Sequence, residues 1–189
     1  MIDYITSIDF SILDFIQNNL RTEFLDFLMV FFSRIGEGGI VWILLALPML
    51  FFKKTRVCGV CMLLSMGVTL LLGEFLFKNI FCRVRPCNIN LDIDMLVNRP
   101  DSYSFPSGHT GSSFTAATSI FLHNKKFGVA AFVLAALIAF SRLYNYVHYP
   151  TDVLAGMLFG ILIALLVYHI LKRYKFDNKI ENLRFSRRG

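Results

Sequence analysis

Two histidines, one aspartate and three permanent cations stand out in a chain built mostly of apolar residues. His148 and Asp152 are four residues apart, with Pro150 between them. Proline suits the first turn of a helix, so Asp152 falls where it can turn back and orient the imidazole of His148. An imidazole held by a carboxylate is a better nucleophile and carries positive charge more easily. A second histidine, His109, follows Pro106-Ser107-Gly108 at the start of another segment. Free backbone N–H groups at a helix start, with no side chain on Gly108, make an anion cradle, and Pro106 stiffens its approach. Lys78, Arg85 and Arg142 suit an oxyanion with more than one negative charge. The planar fork of arginine matches such an anion in two places at once, and lysine adds a point charge. Two groups that titrate near neutral pH supply a nucleophile or base and an acid. The chemistry they suggest is attack by His148, oriented by Asp152, with His109 protonating a leaving oxygen.

The elements that must position these groups are membrane helices. Of 189 residues, 56% are apolar and 17% charged, and the mean hydropathy is +0.59. Soluble domains carry about 25% charged residues, so a soluble fold and a disordered chain are both excluded. The net charge of +6 does not make a nucleic-acid binder, because so apolar a chain has little wet surface on which to spread a basic patch. A span needs about 20 mostly apolar residues. The segments 24–35, 39–52, 57–81, 109–122, 127–144 and 153–171 are the candidates. The expected fold class is therefore all-α: a polytopic bundle of six transmembrane helices, with five as the alternative. It forms one domain over 1–189. Residues 1–20 are read as an interfacial amphipathic helix, since Asp14, Arg21, Glu23 and Asp26 interrupt the first apolar stretch. The segment 109–122 is rich in Gly, Ser, Thr and Ala, which favours close helix packing over lipid contact.

Charge sets the expected orientation. Lys53-Lys54-Thr55-Arg56, Lys125-Lys126 and the tail 172–189 are basic, whereas three arginines (Arg83, Arg85, Arg99) meet three aspartates (Asp92, Asp94, Asp101) in the loop 82–108. By the positive-inside rule, the tail and both termini are expected in the cytoplasm and the loop 82–108 outside. Lys78, Arg85, His109, Arg142, His148 and Asp152 then all lie at extracytoplasmic helix ends. Ionisable groups near membrane depth are costly and mark function by default.

The remaining features have plainer readings. Cys58 and Cys61 form a C-x-x-C within an apolar stretch and read as buried thiols. Cys82 and Cys87 flank a polar loop and can be bridged if it faces an oxidising compartment. Gly156-x-x-x-Gly160 is a helix-packing pattern. Glu74 and Lys78 are spaced i, i+4, as a buried ion pair or as a carboxylate that orients the lysine. His123 and His169 fall at the opposite end, as packing residues. The aspartates of the loop are spread as a solvated face, and no metal site or cofactor is expected. The opening MIDYITSIDF lacks a basic n-region, so no cleaved leader is expected.

Taken together, Lys78-x6-Arg85-Pro86, Pro106-Ser107-Gly108-His109 and Ser141-Arg142-x5-His148-x3-Asp152 resemble the three-part signature of the type 2 phosphatidic acid phosphatase superfamily. The resemblance covers about 57–171. It implies a metal-independent membrane lipid phosphatase that works through a phosphohistidine. By position it makes His148 the nucleophile, Asp152 its orienting carboxylate and His109 the general acid. Lys78, Arg85, Ser107, Gly108 and Arg142 become the phosphate-binding set. The same superfamily includes soluble vanadium haloperoxidases, which the composition excludes, and membrane phosphotransferases. The small one-domain form is similar to bacterial undecaprenyl-diphosphate phosphatases, which implies a multi-pass protein of the bacterial cell membrane whose partner is a lipid substrate from the bilayer. Alternatives are phosphatidylglycerophosphate or phosphatidic acid as substrate, transfer to another lipid, or a non-enzymatic transporter or lipid-binding subunit. The last leaves His148 and Asp152 without a reason. Oligomeric state is left open by the sequence.

Overall fold

The computed structural model describes residues 2–181; residues 182–189, with Arg184, Arg187 and Arg188 of the expected basic tail, lie outside the described residues. Among the described residues every regular element is helical. The first four are α1 (Ile2–Leu20), α2 (Glu23–Ile35), α3 (Ile40–Met49) and α4 (Arg56–Leu70). α4 runs through a π-helical stretch, Leu71–Phe77, into α5 (Lys78–Phe81). A short α6 (Pro86–Ile89) and a long loop lead to α7 (Gly108–His123), α8 (Lys125–Tyr144), α9 (Pro150–Arg173) and α10 (Phe176–Glu181).

Three stretches among the described residues are long and apolar enough to cross a membrane: Arg56–Ile89, Lys125–Tyr144 and Pro150–Arg173. At 1.5 Å per residue α9 reaches about 36 Å, against a hydrocarbon core about 30 Å thick. Leu154, Leu158, Leu162, Leu166 and Ile170 form an exposed stripe along it. A continuous apolar face of that length belongs against hydrocarbon, and this is a membrane protein.

α7 is the central helix and packs on α4, α8 and α9. Its small residues let neighbouring backbones approach. A Cβ at Gly160 would stand 2.4 Å from the Gly111 carbonyl oxygen, and one at Gly156 would stand 2.7 Å from that of Ser107. The Gly156-x-x-x-Gly160 pattern therefore serves packing within the chain. Two buried hydroxyls of α7 reach across to neighbouring helices: Thr115 bonds Thr69 at 2.9 Å and the Gly160 carbonyl at 3.2 Å, and Ser113 accepts from the Trp42 indole at 3.0 Å. Satisfied hydroxyls of this kind tie helices together where no water competes. Cys58 and Cys61 are buried thiols, and Cys82 and Cys87 are unpaired.

The segments 24–35 and 39–52 are two of the six expected spans. In the structure α2 and the helical stretch 37–49 meet at a bend of 49°. The neighbours show the same course. Asp26 near the start of α2 accepts from Tyr144 at the end of α8, Gly36 lies against Ile138, Trp42 meets Ser113, and the Ala46 carbonyl reaches Gly59 near the start of α4. Gly38 and Gly39 take φ of 57° and 71° at the break, a left-handed conformation that favours glycine. At Gly36 a Cβ would meet Ile138 at 2.6 Å and the His109 ring at 3.2 Å. Sequence hydropathy detects two apolar runs; it does not detect that glycines join them with a bend.

The two ends of the bundle hold different elements. α1 lies across the end that holds the α8–α9 connection. Gln17 donates to the Tyr144 carbonyl at 2.8 Å, Tyr146 donates to Asp14 at 2.8 Å, and the Thr151 amide donates to Asp9 at 3.1 Å. α9 then carries the chain to the opposite end. α1 and the end of α9 therefore sit at opposite ends of the bundle.

Close packing at Gly160 yields a stability test. Gly160→Val should destabilise the fold by about 1–3 kcal/mol through overpacking. Gly67, which has open space where its Cβ would stand, should accept alanine with a change of less than about 1 kcal/mol, on the stabilising side. Thermal unfolding of both variants in detergent checks the contrast.

Candidate active site

A cavity of about 1100 Å³ opens at the end of the bundle capped by α1. Seven of the eight residues singled out in the sequence line it: Lys78, Arg85, Ser107, Gly108, His109, Arg142 and His148. The eighth, Asp152, is fully buried behind His148. The structure thus gathers residues from the end of the α4–α5 run, the loop before α7, the start of α7, the end of α8 and the α8–α9 connection.

His148 sits just ahead of α9. Its Nε2 is 3.0 Å from Nη1 of Arg85, and its Nδ1 faces Oδ2 of Asp152 at 3.6 Å. Guanidinium can only donate, so Nε2 is the acceptor and the ring proton belongs on Nδ1, toward the carboxylate. The Nε2 lone pair therefore lies on the cavity side, where Arg85 holds it. Burial, reinforced by the Arg85, Arg142 and Lys78 cations, holds this imidazole well below the ordinary histidine range, so it is neutral at pH 7. Asp152 Oδ2 also accepts the Tyr149 amide at 3.0 Å, the capping arrangement that starts α9. One carboxylate so serves both the helix start and the imidazole, which explains the three-residue spacing between His148 and Asp152.

Arg85 is fully engaged. It donates from Nε to the Ser102 carbonyl at 2.7 Å and from Nη2 to the Ser102 hydroxyl at 3.0 Å and the Tyr103 carbonyl at 3.2 Å. Nη1 donates to the Val147 carbonyl at 2.8 Å as well as to His148. The first three bonds shape the loop before α7, and the fourth holds the α8–α9 connection. The fifth, to His148, is the one an incoming anion can take over, which would release Nε2. Arg142 donates to the Ser33 hydroxyl of α2. Lys78 pairs with Glu74 at 2.7 Å. Of the two readings of that i, i+4 pair, the contact supports a carboxylate that holds the lysine at the cavity: Glu74 lies in the π-helical stretch, and its Oε1 stands 2.6 Å from where a Gly108 Cβ would be. π-Helical turns recur at functional sites because they re-aim a side chain.

Ser107 caps α7, its hydroxyl accepting from the Thr110 amide at 3.4 Å and the Thr110 hydroxyl at 2.9 Å. That leaves the Gly108 and His109 amides, the first two of the helix, without an intrahelical acceptor. The His109 ring is housed against Gly36 at the α2–α3 bend. The Ser107 amide donates to the Asp152 carbonyl at 3.1 Å, which joins the start of α7 to the start of α9.

Sequence reasoning missed four neighbours of the site: Ser33, Ser102, Arg83 and Asp9. Arg83 was counted only as loop charge, though it donates to Asp152 at 2.6 Å. Asp9 carried a legible signal: it shares a helical stripe with Leu13 and Ile16, and all three are buried.

A cradle of three cations and two helix-start amides, facing a neutral imidazole backed by a carboxylate, is equipped to accept a phosphoryl group. Comparisons with known proteins agree. Residues 58–176 match the PAP2 superfamily, and the chain belongs to that family. It is 36% identical over 144 residues to a protein of Sulfolobus acidocaldarius named undecaprenyl-diphosphatase, covering 76% of this chain and 69% of that one. It is 33% identical over 179 residues to phosphatidylglycerophosphatase B of Bacillus subtilis, covering 87% and 81%. The fold superimposes on the crystal structure of a transmembrane PAP2-type phosphatidylglycerolphosphate phosphatase from Bacillus subtilis with a TM-score of 0.72 at 31% identity, over 96% of this chain and 90% of that one. The chain is a membrane phosphatase of the PAP2 kind.

The five bonds of Arg85 make it hard to replace. Arg85→Lys keeps the charge but cannot span Ser102, Tyr103, Val147 and His148 together. It should lower kcat on the order of 100-fold while the protein stays folded, as measured by phosphate release and by elution profile in detergent.

Proposed function

We propose that this protein hydrolyses a lipid phosphate or diphosphate through a phosphohistidine on His148. The observation that carries the reading is the tautomer imposed on His148: its Nε2 lone pair faces the cation cradle, and its ring proton faces Asp152. In this scheme the phosphoryl oxygens lie among Lys78, Arg85, Arg142 and the Gly108 and His109 amides, with Ser107 shaping the cradle. His148 Nε2 attacks phosphorus in line. The bond to the leaving oxygen breaks, and His109 donates a proton to that oxygen. Water, giving its proton to His109, then attacks the phosphohistidine and releases phosphate. Positioning and charge stabilisation supply most of the acceleration, as in other phosphoryl transfers. The three cations provide the positive charge that a divalent metal would otherwise bring, so the reaction is read as metal-independent.

The cavity also favours a lipid. Beyond the cations it is lined by Ile43, Leu63, Met66, Leu70 and Phe159, an apolar wall suited to the first part of an acyl or prenyl chain entering sideways. We take undecaprenyl diphosphate, converted to undecaprenyl phosphate, as the substrate. The Sulfolobus relative bearing that activity in its name supports this. The second reading, phosphatidylglycerophosphate or phosphatidic acid, rests on the Bacillus relative. Transfer of the phosphoryl group to a lipid acceptor in place of water is the third.

For topology we take the 2–173 stretch as one membrane domain with five crossings: the bent α2–α3, the α4–α5 run, α7, α8 and α9. Lys53, Lys54, Lys125, Lys126, Lys172 and Arg173 then gather on the cytoplasmic side. The active site and α1 face the extracytoplasmic side of the cell membrane. α1 exposes Tyr4, Ile8, Ile12 and Phe15 along one face, which suits a helix lying in the bilayer interface.

Two measurements test this. The purified protein, given a panel of lipid phosphates and diphosphates with a chelator present, should release free phosphate; dependence on added divalent metal would overturn the metal-independent reading, and phosphate lost from the donor without appearing free would point to transfer. His148→Ala should lose all turnover while melting as the parent does, and an active His148→Ala would overturn the phosphohistidine.

A further inference from the structure

A densely bonded cluster of charged and polar side chains lies directly behind His148. Arg83, in the loop between α5 and α6, donates from Nη1 to Asp152 Oδ1 at 2.6 Å and to the Thr151 hydroxyl at 2.7 Å. Its Nη2 donates to Asp9 Oδ2 at 2.7 Å, and its guanidinium carbon lies 3.8 Å from the centre of the Tyr149 ring. Asp9, on α1, also accepts from the Thr151 amide at 3.1 Å and the Thr151 hydroxyl at 2.6 Å. Asp9 and Asp152 are 1% and 0% exposed, so neither carboxylate is solvated by water.

We infer that Arg83 and Asp9 are positioning residues of the reaction: Arg83, held by Asp9 from the amphipathic helix, fixes the Asp152 carboxylate that faces His148. Two physical arguments carry this, and both rest on the proposed roles of His148 and Asp152. The first is geometric. Arg83 pins Oδ1 while the Tyr149 amide pins Oδ2, so the carboxylate cannot rotate away from Nδ1. The second is electrostatic. Arg83 alone would neutralise Asp152 and leave nothing to stabilise an imidazole that gains positive charge on phosphorylation. Asp9 restores the balance: two buried carboxylates around one guanidinium leave a net negative charge, and the charged imidazole is the group that completes it. α1 is thereby a working part of the active site as well as a cap on the bundle.

The test uses the full chain in detergent with a short-chain phosphatidic acid, measuring kcat and KM separately. Arg83→Gln and Asp9→Asn should each lower kcat by about 30-fold, with KM within about threefold of the parent, the scale expected for members of one hydrogen-bonded network. Arg83→Lys should recover about tenfold of the loss by keeping the charge. In an Asp152→Asn background, followed with enzyme in excess, either change should cost less than about threefold, because the carboxylate being positioned is gone. Asp14→Ala removes another bond between α1 and the bundle, the one Tyr146 donates; it should leave kcat unchanged, separating positioning from mere attachment. If Arg83→Gln does not fold, Asp9→Asn and Arg83→Lys carry the comparison. A kcat within twofold of the parent in Arg83→Gln or Asp9→Asn, an equal loss in Asp14→Ala, or an undiminished loss in the Asp152→Asn background would overturn the inference. His148→Ala is run alongside: activity there would overturn the phosphohistidine itself, whereas an inactive His148→Ala beside a fully active Asp9→Asn would overturn only the positioning role.

Discussion

Three buried cations at one end of a membrane bundle, Lys78, Arg85 and Arg142, impose the constraint that the surrounding structure must satisfy. Each would be costly to desolvate alone, and each is met by a different device. Arg85 is met by carbonyls and a hydroxyl of the loop before α7, so solvating the cation also orders that loop. Lys78 is met by Glu74, which the π-helical stretch turns toward the cavity. Arg142 is met by Ser33, so the helix that bends at Gly36–Gly39 is tied to the site it partly walls. Glu37 and Glu74 are outnumbered by the cations that line the cavity, which leaves it positive and suited to a phosphate dianion.

Behind His148 the sign reverses. On the cavity side the imidazole meets cations and offers its lone pair; on the far side it meets Asp152, backed by Arg83 and Asp9, and offers its proton. Under the proposed mechanism, a neutral ring between a positive front and a negative back is polarised for attack before any substrate arrives. The two fields come from different parts of the chain. The front is built from the three motifs legible in the sequence. The back recruits α1, which explains why an amphipathic helix carries a buried aspartate on its packed face.

The site was legible because ionisable residues are rare in an apolar chain and their spacing follows helix starts. Pro150 and the three residues between His148 and Asp152 anticipate the capping geometry that the structure contains, and Ser107 caps α7 as its type and position require. The small residues of α7 likewise forecast its central place. What escaped was long-range. Hydropathy reads 24–35 and 39–52 as two runs and gives no sign of the 49° bend at which they meet, where Gly36 packs against His109 and Ile138. Arg83 differs from Arg85 by two positions in the same loop, and no local pattern distinguishes the arginine facing the cavity from the one clamping Asp152. That difference is set by α1, whose placement across the site end depends on contacts more than 100 residues apart in sequence, such as Asp9 with Thr151.

The central claim is that phosphorus passes through His148, and the stereochemical course of the reaction tests it most directly. A lipid thiophosphate made chiral by oxygen isotopes is hydrolysed in isotopically labelled water, and the configuration of the released thiophosphate is determined. Attack by His148 followed by attack of water is two in-line displacements, so overall retention at phosphorus is expected. Inversion would mean that water attacks the lipid phosphate directly, and would contradict the mechanism.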